Sequence, residues 1–110
     1  MSYQQLEETA EVDAMIAGSE PAWLFKHSQT CGISHAAKEQ VDAYLAGQDD
    51  TIGIVIVQTH RPVSNHIAQA LERVHQSPQI FLLQGGEVKW TATHYSITSA
   101  AMAEARKQLA

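Results

Sequence analysis

The sequence has a single cysteine, three prolines and no cluster of basic residues. One cysteine cannot form an internal disulfide, so the fold needs no oxidising compartment. Seven lysines and arginines against twelve aspartates and glutamates give a formal charge of -5. Lys38 stands far from the Arg106-Lys107 pair, so nothing concentrates positive charge for a phosphate backbone, and no nucleic-acid partner is expected. Long apolar runs are also missing. The longest, Ile52 to Val57, is far too short to cross a bilayer, and no basic N-terminal region leads into an apolar leader. The expectation is a cytoplasmic protein with no membrane partner. No internal repeat, low-complexity tract or linker divides the chain, so residues 1–110 should form one domain with a core of its own.

What is present is an alternation of helical and strand-like segments. The first residues show little beyond a short edge strand around Tyr3 to Leu6. Thr9 can cap a short helix in which Val12, Met15 and Ile16 recur at helical spacing, with Gly18 just past its end. Pro21 biases Glu20 away from helix, and Ala22 to Lys26 reads as a buried strand. After a polar turn, a helix from about Cys31 to Ala46 brings Ile33, Ala37, Val41 and Tyr44/Leu45 to one face and stops at Gly47. Thr51 leads into IGIVIVQ, a β-branched run typical of strands covered on both faces. Arg61-Pro62 opens a helix with Val63, Ile67, Leu71 and Val74 on one stripe. QIFLLQ and EVKWTATH flank Gly85-Gly86 as an antiparallel hairpin, with Val88, Trp90 and Ala92 on its buried side. A last helix from about Thr98 buries Ala101/Met102, Ala105 and Leu109.

A helix joining two buried strands makes a βαβ unit and a partly parallel sheet. The element order resembles that of thioredoxin-like folds: α/β class, a central mixed sheet of about four strands flanked by helices. Such folds place a cis-proline before the third strand, opposite the reactive cysteine, and Pro78 occupies that position.

Cys31 lies where the apolar strand, the polar turn and the following helix meet. The first N–H groups of a helix are unpaired and its dipole is positive there, an arrangement that favours thiolate over thiol. Thiol–disulfide exchange needs an accessible thiolate, a groove that holds the disulfide in line and a route for the leaving sulfur. Cys31 supplies the first, with the N–H groups of Ile33 and Ser34 and the Ser34 hydroxyl as donors to the sulfur. Ser77 and Pro78 would complete the groove by exposing a backbone edge. Ser34 stands where a dithiol enzyme carries its resolving cysteine, so an external small thiol must finish the cycle. Lys26, Arg61 and His66 are candidate contacts for an anionic thiol. His27, Cys31 and His35 recur at intervals of four, but a tetrahedral metal site would be incomplete without further ligands, and no metal is expected. His27 or His35 could instead favour the Cys31 thiolate. Trp23, Phe25, Phe81 and Trp90 read as core. The opposing view of Cys31 is an inert buried thiol.

The segment FKHSQTCGIS, the RPVSN helix start and the SPQ strand start resemble the monothiol bacilliredoxins of the YtxJ type over nearly the whole chain. The resemblance implies a thiol–disulfide oxidoreductase that removes bacillithiol from S-bacillithiolated client proteins. It implies Cys31 as the attacking residue, Thr30, Gly32 and Ile33 around the substrate, no bound cofactor, and bacillithiol as the thiol co-substrate. Bacillithiol carries a malate group, which suits anion contacts near a helix N-terminus. The family usually has proline directly after the cysteine, where this sequence has Gly32. Cys-Gly-Ile-Ser is also similar to the Cys-Gly-Phe-Ser of monothiol glutaredoxins, which use glutathione and can hold a [2Fe-2S] cluster between two subunits. Their surroundings differ: Ser77 rather than a Thr-Val pair precedes the proline, and the Gly-Gly pair lies in the hairpin turn instead of after it. A cluster carrier is therefore the second expectation, and a non-catalytic thioredoxin-fold adaptor the third.

Overall fold

The apolar runs pair into one sheet in a computed structural model that describes residues 3–109. Met1, Ser2 and Ala110, the ends of the expected 1–110 unit, lie outside the described residues. In chain order the elements are β1 (Gln4–Gln5), α1 (Thr9–Ala17), β2 (Ala22–His27), α2 (Gly32–Leu45), β3 (Thr51–Ile56), α3 (Arg61–Leu71), β4 (Gln79–Gln84), β5 (Glu87–Thr93) and α4 (Ser99–Lys107). The short β1 makes the sheet five-stranded, in the order β1-β3-β2-β4-β5. β1 and β2 run parallel to β3, while β4 is antiparallel to both β2 and β5.

Alternation along the strands divides the interior into two layers. Trp23, Phe25, Ile52, Ile54, Ile80 and Leu82 face α2 and α4, where they meet Val41, Tyr44 and Met102. Leu24, Val55, Phe81 and Leu83 face α1 and α3, where they meet Val12, Val63, Ile67 and Leu71. Phe25 and Phe81 are core as expected, and Trp23 packs edge-on against Trp90 with ring centroids 6.0 Å apart. Gly53 is glycine because of this packing: a Cβ there would stand 2.7 Å from the Met15 methyl and 2.8 Å from Leu6. Asp50, just before β3, accepts hydrogen bonds from Trp23 Nε1 (2.9 Å), the Tyr44 hydroxyl (2.9 Å) and Arg106 Nε (3.1 Å), joining β2, α2 and α4 at one end of the sheet.

Several boundaries differ from the sequence reading for identifiable reasons. Thr9 is the first helical residue rather than the cap; the Glu11 carboxylate reaches back to the N–H groups of Glu7 (2.9 Å) and Glu8 (3.0 Å) and does the capping. Val74 is not on the α3 stripe. Glu72 adopts a left-handed conformation (φ 54°) that ends the helix, and Val74 is 80% exposed on the following loop. In α2 the buried stripe begins at Ser34, with Ile33 only half-buried. Gly85 and Gly86 form the hairpin turn with φ of 61° and 82°, values that favour glycine at both positions. A 3₁₀ turn, His94–Ser96, lies between β5 and the last helix; that helix was expected from about Thr98, and Thr98 is its cap, accepting the Ala101 N–H at 3.1 Å.

Candidate active site

Strand directions bring the reactive elements to one end of the sheet. β2 ends at His27 and β4 begins at Gln79, with Lys26 paired to Gln79 across the ladder. Ser77 and Pro78 lead directly into β4 at the sheet end where β2 finishes, four residues before Cys31. The Ser77–Pro78 bond is cis and Pro78 is buried. Ser77 Oγ is the one buried side-chain oxygen or nitrogen without a hydrogen-bond partner among the described residues.

Cys31 is the N-cap residue of α2, in extended conformation (φ -101°, ψ 123°), half-buried and in no disulfide. Its N–H closes a turn on the Ser28 carbonyl (3.4 Å), and its carbonyl accepts the first helical bond, from His35 N–H (3.1 Å). The loop leading to it is clasped by Gln58 from the end of β3. Gln58 Nε2 donates to Ser28 Oγ (2.5 Å) and Thr30 Oγ1 (3.0 Å), while Gln58 Oε1 accepts the Gln29 N–H (3.2 Å). His35 Nε2 donates to the Gln29 carbonyl at 2.6 Å. Four polar contacts thus hold residues 28–30 in front of the thiol.

Ser34 requires a correction. Its hydroxyl, fully buried, lies 2.8 Å from His27 Nδ1 and accepts the Ser28 N–H at 2.9 Å, and makes no hydrogen bond to the Cys31 sulfur. It secures the loop to the helix instead of serving the thiolate. The two histidines do not bond to the sulfur either: the His27 ring is held by Ser34 and the His35 ring by Gln29. Burial, with the nearby His35 and Lys38 charges, pushes His27 below the ordinary histidine value.

The anion contacts divide. Lys26 is fully buried beneath the sheet end, its ammonium 2.9 Å from His75 Nδ1, and so is not a surface contact for a ligand. Alternation along β2 points it toward the α3 layer, an orientation a strand rich in apolar neighbours conceals. His66 is tied to Asp13 at 2.7 Å, joining α3 to α1. Arg61, exposed at the start of α3, remains at the Cys31 end. Thr30 and Gly32 are exposed and Ile33 is half-buried beside the thiol. Nothing lies within 4 Å of where a Gly32 side chain would begin.

Gln58, His75 and Gln79 were missed as site residues. Gln58 and His75 sit in no motif, and Gln79 closes the SPQ strand start without any sign of its role; the roles follow from the parallel pairing of β3 with β2 and from the Lys26–Gln79 register, which sequence periodicity does not specify. What the assembled site offers is one accessible sulfur at a helix start, a neighbouring strand end with an unpartnered hydroxyl, and no second thiol.

A family model described as Monothiol bacilliredoxin BrxC matches residues 4–102. A solved candidate oxidoreductase with a thioredoxin fold is 31% identical, with a TM-score of 0.88 over 94% of this chain and 93% of the other. Mitochondrial thioredoxin 3 from Saccharomyces cerevisiae is 15% identical with a TM-score of 0.74, covering 96% of this chain and 94% of its own. Fasciola hepatica thioredoxin is 13% identical with a TM-score of 0.75, covering 96% and 97%. The last two are similar in fold.

Proposed function

The chain belongs to the monothiol bacilliredoxin family, and on that premise we propose that it removes bacillithiol from S-bacillithiolated proteins in the cytoplasm, with Cys31 as the only catalytic thiol. The Cys31 thiolate attacks the bacillithiol sulfur of the client's mixed disulfide. A Cys31–bacillithiol bond forms, the client S–S bond breaks, and the client leaves as a thiolate. A second bacillithiol thiolate then attacks the bacillithiol sulfur held on Cys31. Bacillithiol disulfide leaves and Cys31 is freed, so the oxidising equivalents of the client end in the small-molecule disulfide.

The observation that carries this reading is the position of Cys31: N-cap of α2, at the same sheet end as Ser77–Pro78, with Ser34 hydrogen-bonded into the fold where a resolving thiol would be. A buried serine with both its bonds made leaves Cys31 no internal partner, which is why an external thiol completes the cycle. The client segment lies extended along Ser77–Pro78, where the Ser77 hydroxyl lacks a partner. Thr30, Gly32 and Ile33 line the thiol, and Arg61 faces the malate carboxylates of bacillithiol.

The test is transfer from a purified S-bacillithiolated protein. Wild type, with free bacillithiol present, should return the client thiol catalytically, and Cys31→Ala should return none above the bacillithiol-only rate. Equal rates for the two would refute the proposal.

A further inference from the structure

We propose that the buried Lys26 is a positioning residue: through His75 it fixes the loop 72–78 and thereby the Ser77–Pro78 edge against which the client segment lies. The inference rests on the client-binding reading of that edge, while the contacts that carry it are independent of any substrate.

Lys26 is 0% exposed, and its cross-strand partner Gln79 is 4% exposed. Paired residues on neighbouring strands point to the same face, and these two reach the same loop. Lys26 Nζ donates to His75 Nδ1 at 2.9 Å. Gln79 Oε1 accepts the Gln76 N–H at 3.2 Å, and Gln79 Nε2 donates to the Val74 carbonyl at 3.3 Å. Nothing apolar anchors this loop from its outer side, since Glu72, Arg73, Val74 and Gln76 are all exposed. Backbone bonds hold its two ends, Arg73 N–H to the Ala68 carbonyl (3.0 Å) and His94 N–H to the Pro78 carbonyl (3.1 Å), and between them the loop is held by two polar side chains rising from the strands below it.

A buried ammonium with no carboxylate partner is costly to keep, and an apolar side chain of similar length would fill the same space more favourably. The titratable and charged groups that face Lys26 are His75 from the loop and Arg61 from α3; Ser64 of α3 is 3.4 Å from the same His75 nitrogen. Burial, aided by Arg61, lowers Lys26 to about 8, so the ammonium form still prevails at neutral pH. Burial, with the charges of Lys26 and Arg61, pushes His75 below the ordinary histidine value, leaving its Nδ1 free to accept. Protonating His75 removes the acceptor and sets two cations against each other, which releases the loop in acid.

The experiment compares Lys26→Met, His75→Ala and His75→Gln with wild type, the last retaining a hydrogen-bond acceptor. Each is reacted with a short peptide carrying a bacillithiol mixed disulfide and, separately, with iodoacetamide, which needs Cys31 but no groove. The ratio of the two rates cancels the ionisation of Cys31. It should fall about tenfold in Lys26→Met and His75→Ala, the scale of one charge-assisted hydrogen bond, and recover most of the loss in His75→Gln. In wild type the ratio should fall on the acid side of the histidine range, and in His75→Gln it should stay flat. Amide hydrogen exchange of Gln76 and Ser77, which requires no substrate, should quicken in Lys26→Met and His75→Ala. An unchanged ratio, a parallel fall of both rates, or unchanged amide exchange would overturn the proposal. Wild type inert toward the peptide would instead count against the exchange function, and amide exchange would still decide whether Lys26 holds the loop.

Discussion

Ser34 Oγ and His27 Nδ1 lie 2.8 Å apart inside the fold, on the side of α2 away from solvent. Ser34 is thereby a fastener between the strand that leads to Cys31 and the helix that follows it. Its second bond, from Ser28 N–H at 2.9 Å, ties down the first residue of the loop. Removing the hydroxyl with Ser34→Ala leaves the His27 ring nitrogen and the Ser28 amide unpartnered in a buried place. The expected loss is about 1–3 kcal/mol, read from urea denaturation, with the chain still folded.

Lys26 makes a stability prediction that runs opposite to its functional one. Its folded value is about 8 against an ordinary 10.5, so between those values the unfolded chain binds more protons than the native one. Stability therefore rises with pH across that window, and the penalty for the buried charge is fully present below it. Lys26→Met should be more stable than wild type at pH 7, by on the order of 2 kcal/mol after the lost His75 bond is counted. The difference should narrow as pH rises toward 10.5, the ordinary lysine value. Paired urea titrations at the two pH values check both the sign and the trend.

Asp50 should be the main acid-labile tie of the scaffold. Burial raises its carboxyl, but hydrogen bonds from Trp23, Tyr44 and Arg106, with the Arg106 charge, outweigh that and hold it below the usual carboxylate range. A depressed carboxyl contributes stability that is present above its unfolded value and is lost as pH falls through the folded one. Asp50→Ala should cost about 2–4 kcal/mol at pH 7 by leaving three donors without an acceptor. Its deficit against wild type should shrink at pH 3, near where an ordinary carboxylate titrates.

Gly32 is the first residue of α2, exposed, with open space around its missing side chain. Cys31 before it is already extended, the conformation that a following proline requires. Proline at the first helical turn removes no intrahelical bond and limits the unfolded chain. Gly32→Pro should therefore stabilise the protein by about 0.5–1 kcal/mol, visible as a higher thermal midpoint.

Much of the architecture was legible because it rests on patterns that survive in one dimension. The β-branched run after Thr51 reads as a buried strand, although the strand stops at Ile56 and Val57 and Gln58 already belong to the turn; Gly85-Gly86 between two strand-like runs reads as a hairpin, and Gly47 as a helix stop. The position of Pro78 followed from the element order, and Cys31 at a helix start followed from the polar turn ahead of it. What was not legible depends on register and on which face a polar residue takes. Lys26 in FKHS looks like a strand-end surface charge; only its pairing with Gln79 and the close approach of the 72–78 loop show it buried. Ser34 looked like a companion of the sulfur because the two are a helical turn apart, yet the inward face of α2 carries it to His27. Gln58 has no local signature at all, and its clasp on Ser28 and Thr30 exists because parallel β3 delivers it beside a loop thirty and twenty-eight positions away.

The central claim, that Cys31 exchanges disulfides with bacillithiol, is tested most directly by intact-mass measurement after separate incubation with bacillithiol disulfide and glutathione disulfide. One bacillithiol should be added to wild type, mapped to Cys31 and removed by excess free bacillithiol, with glutathione giving little or no adduct. An unmodified Cys31 in the presence of bacillithiol disulfide would contradict the account.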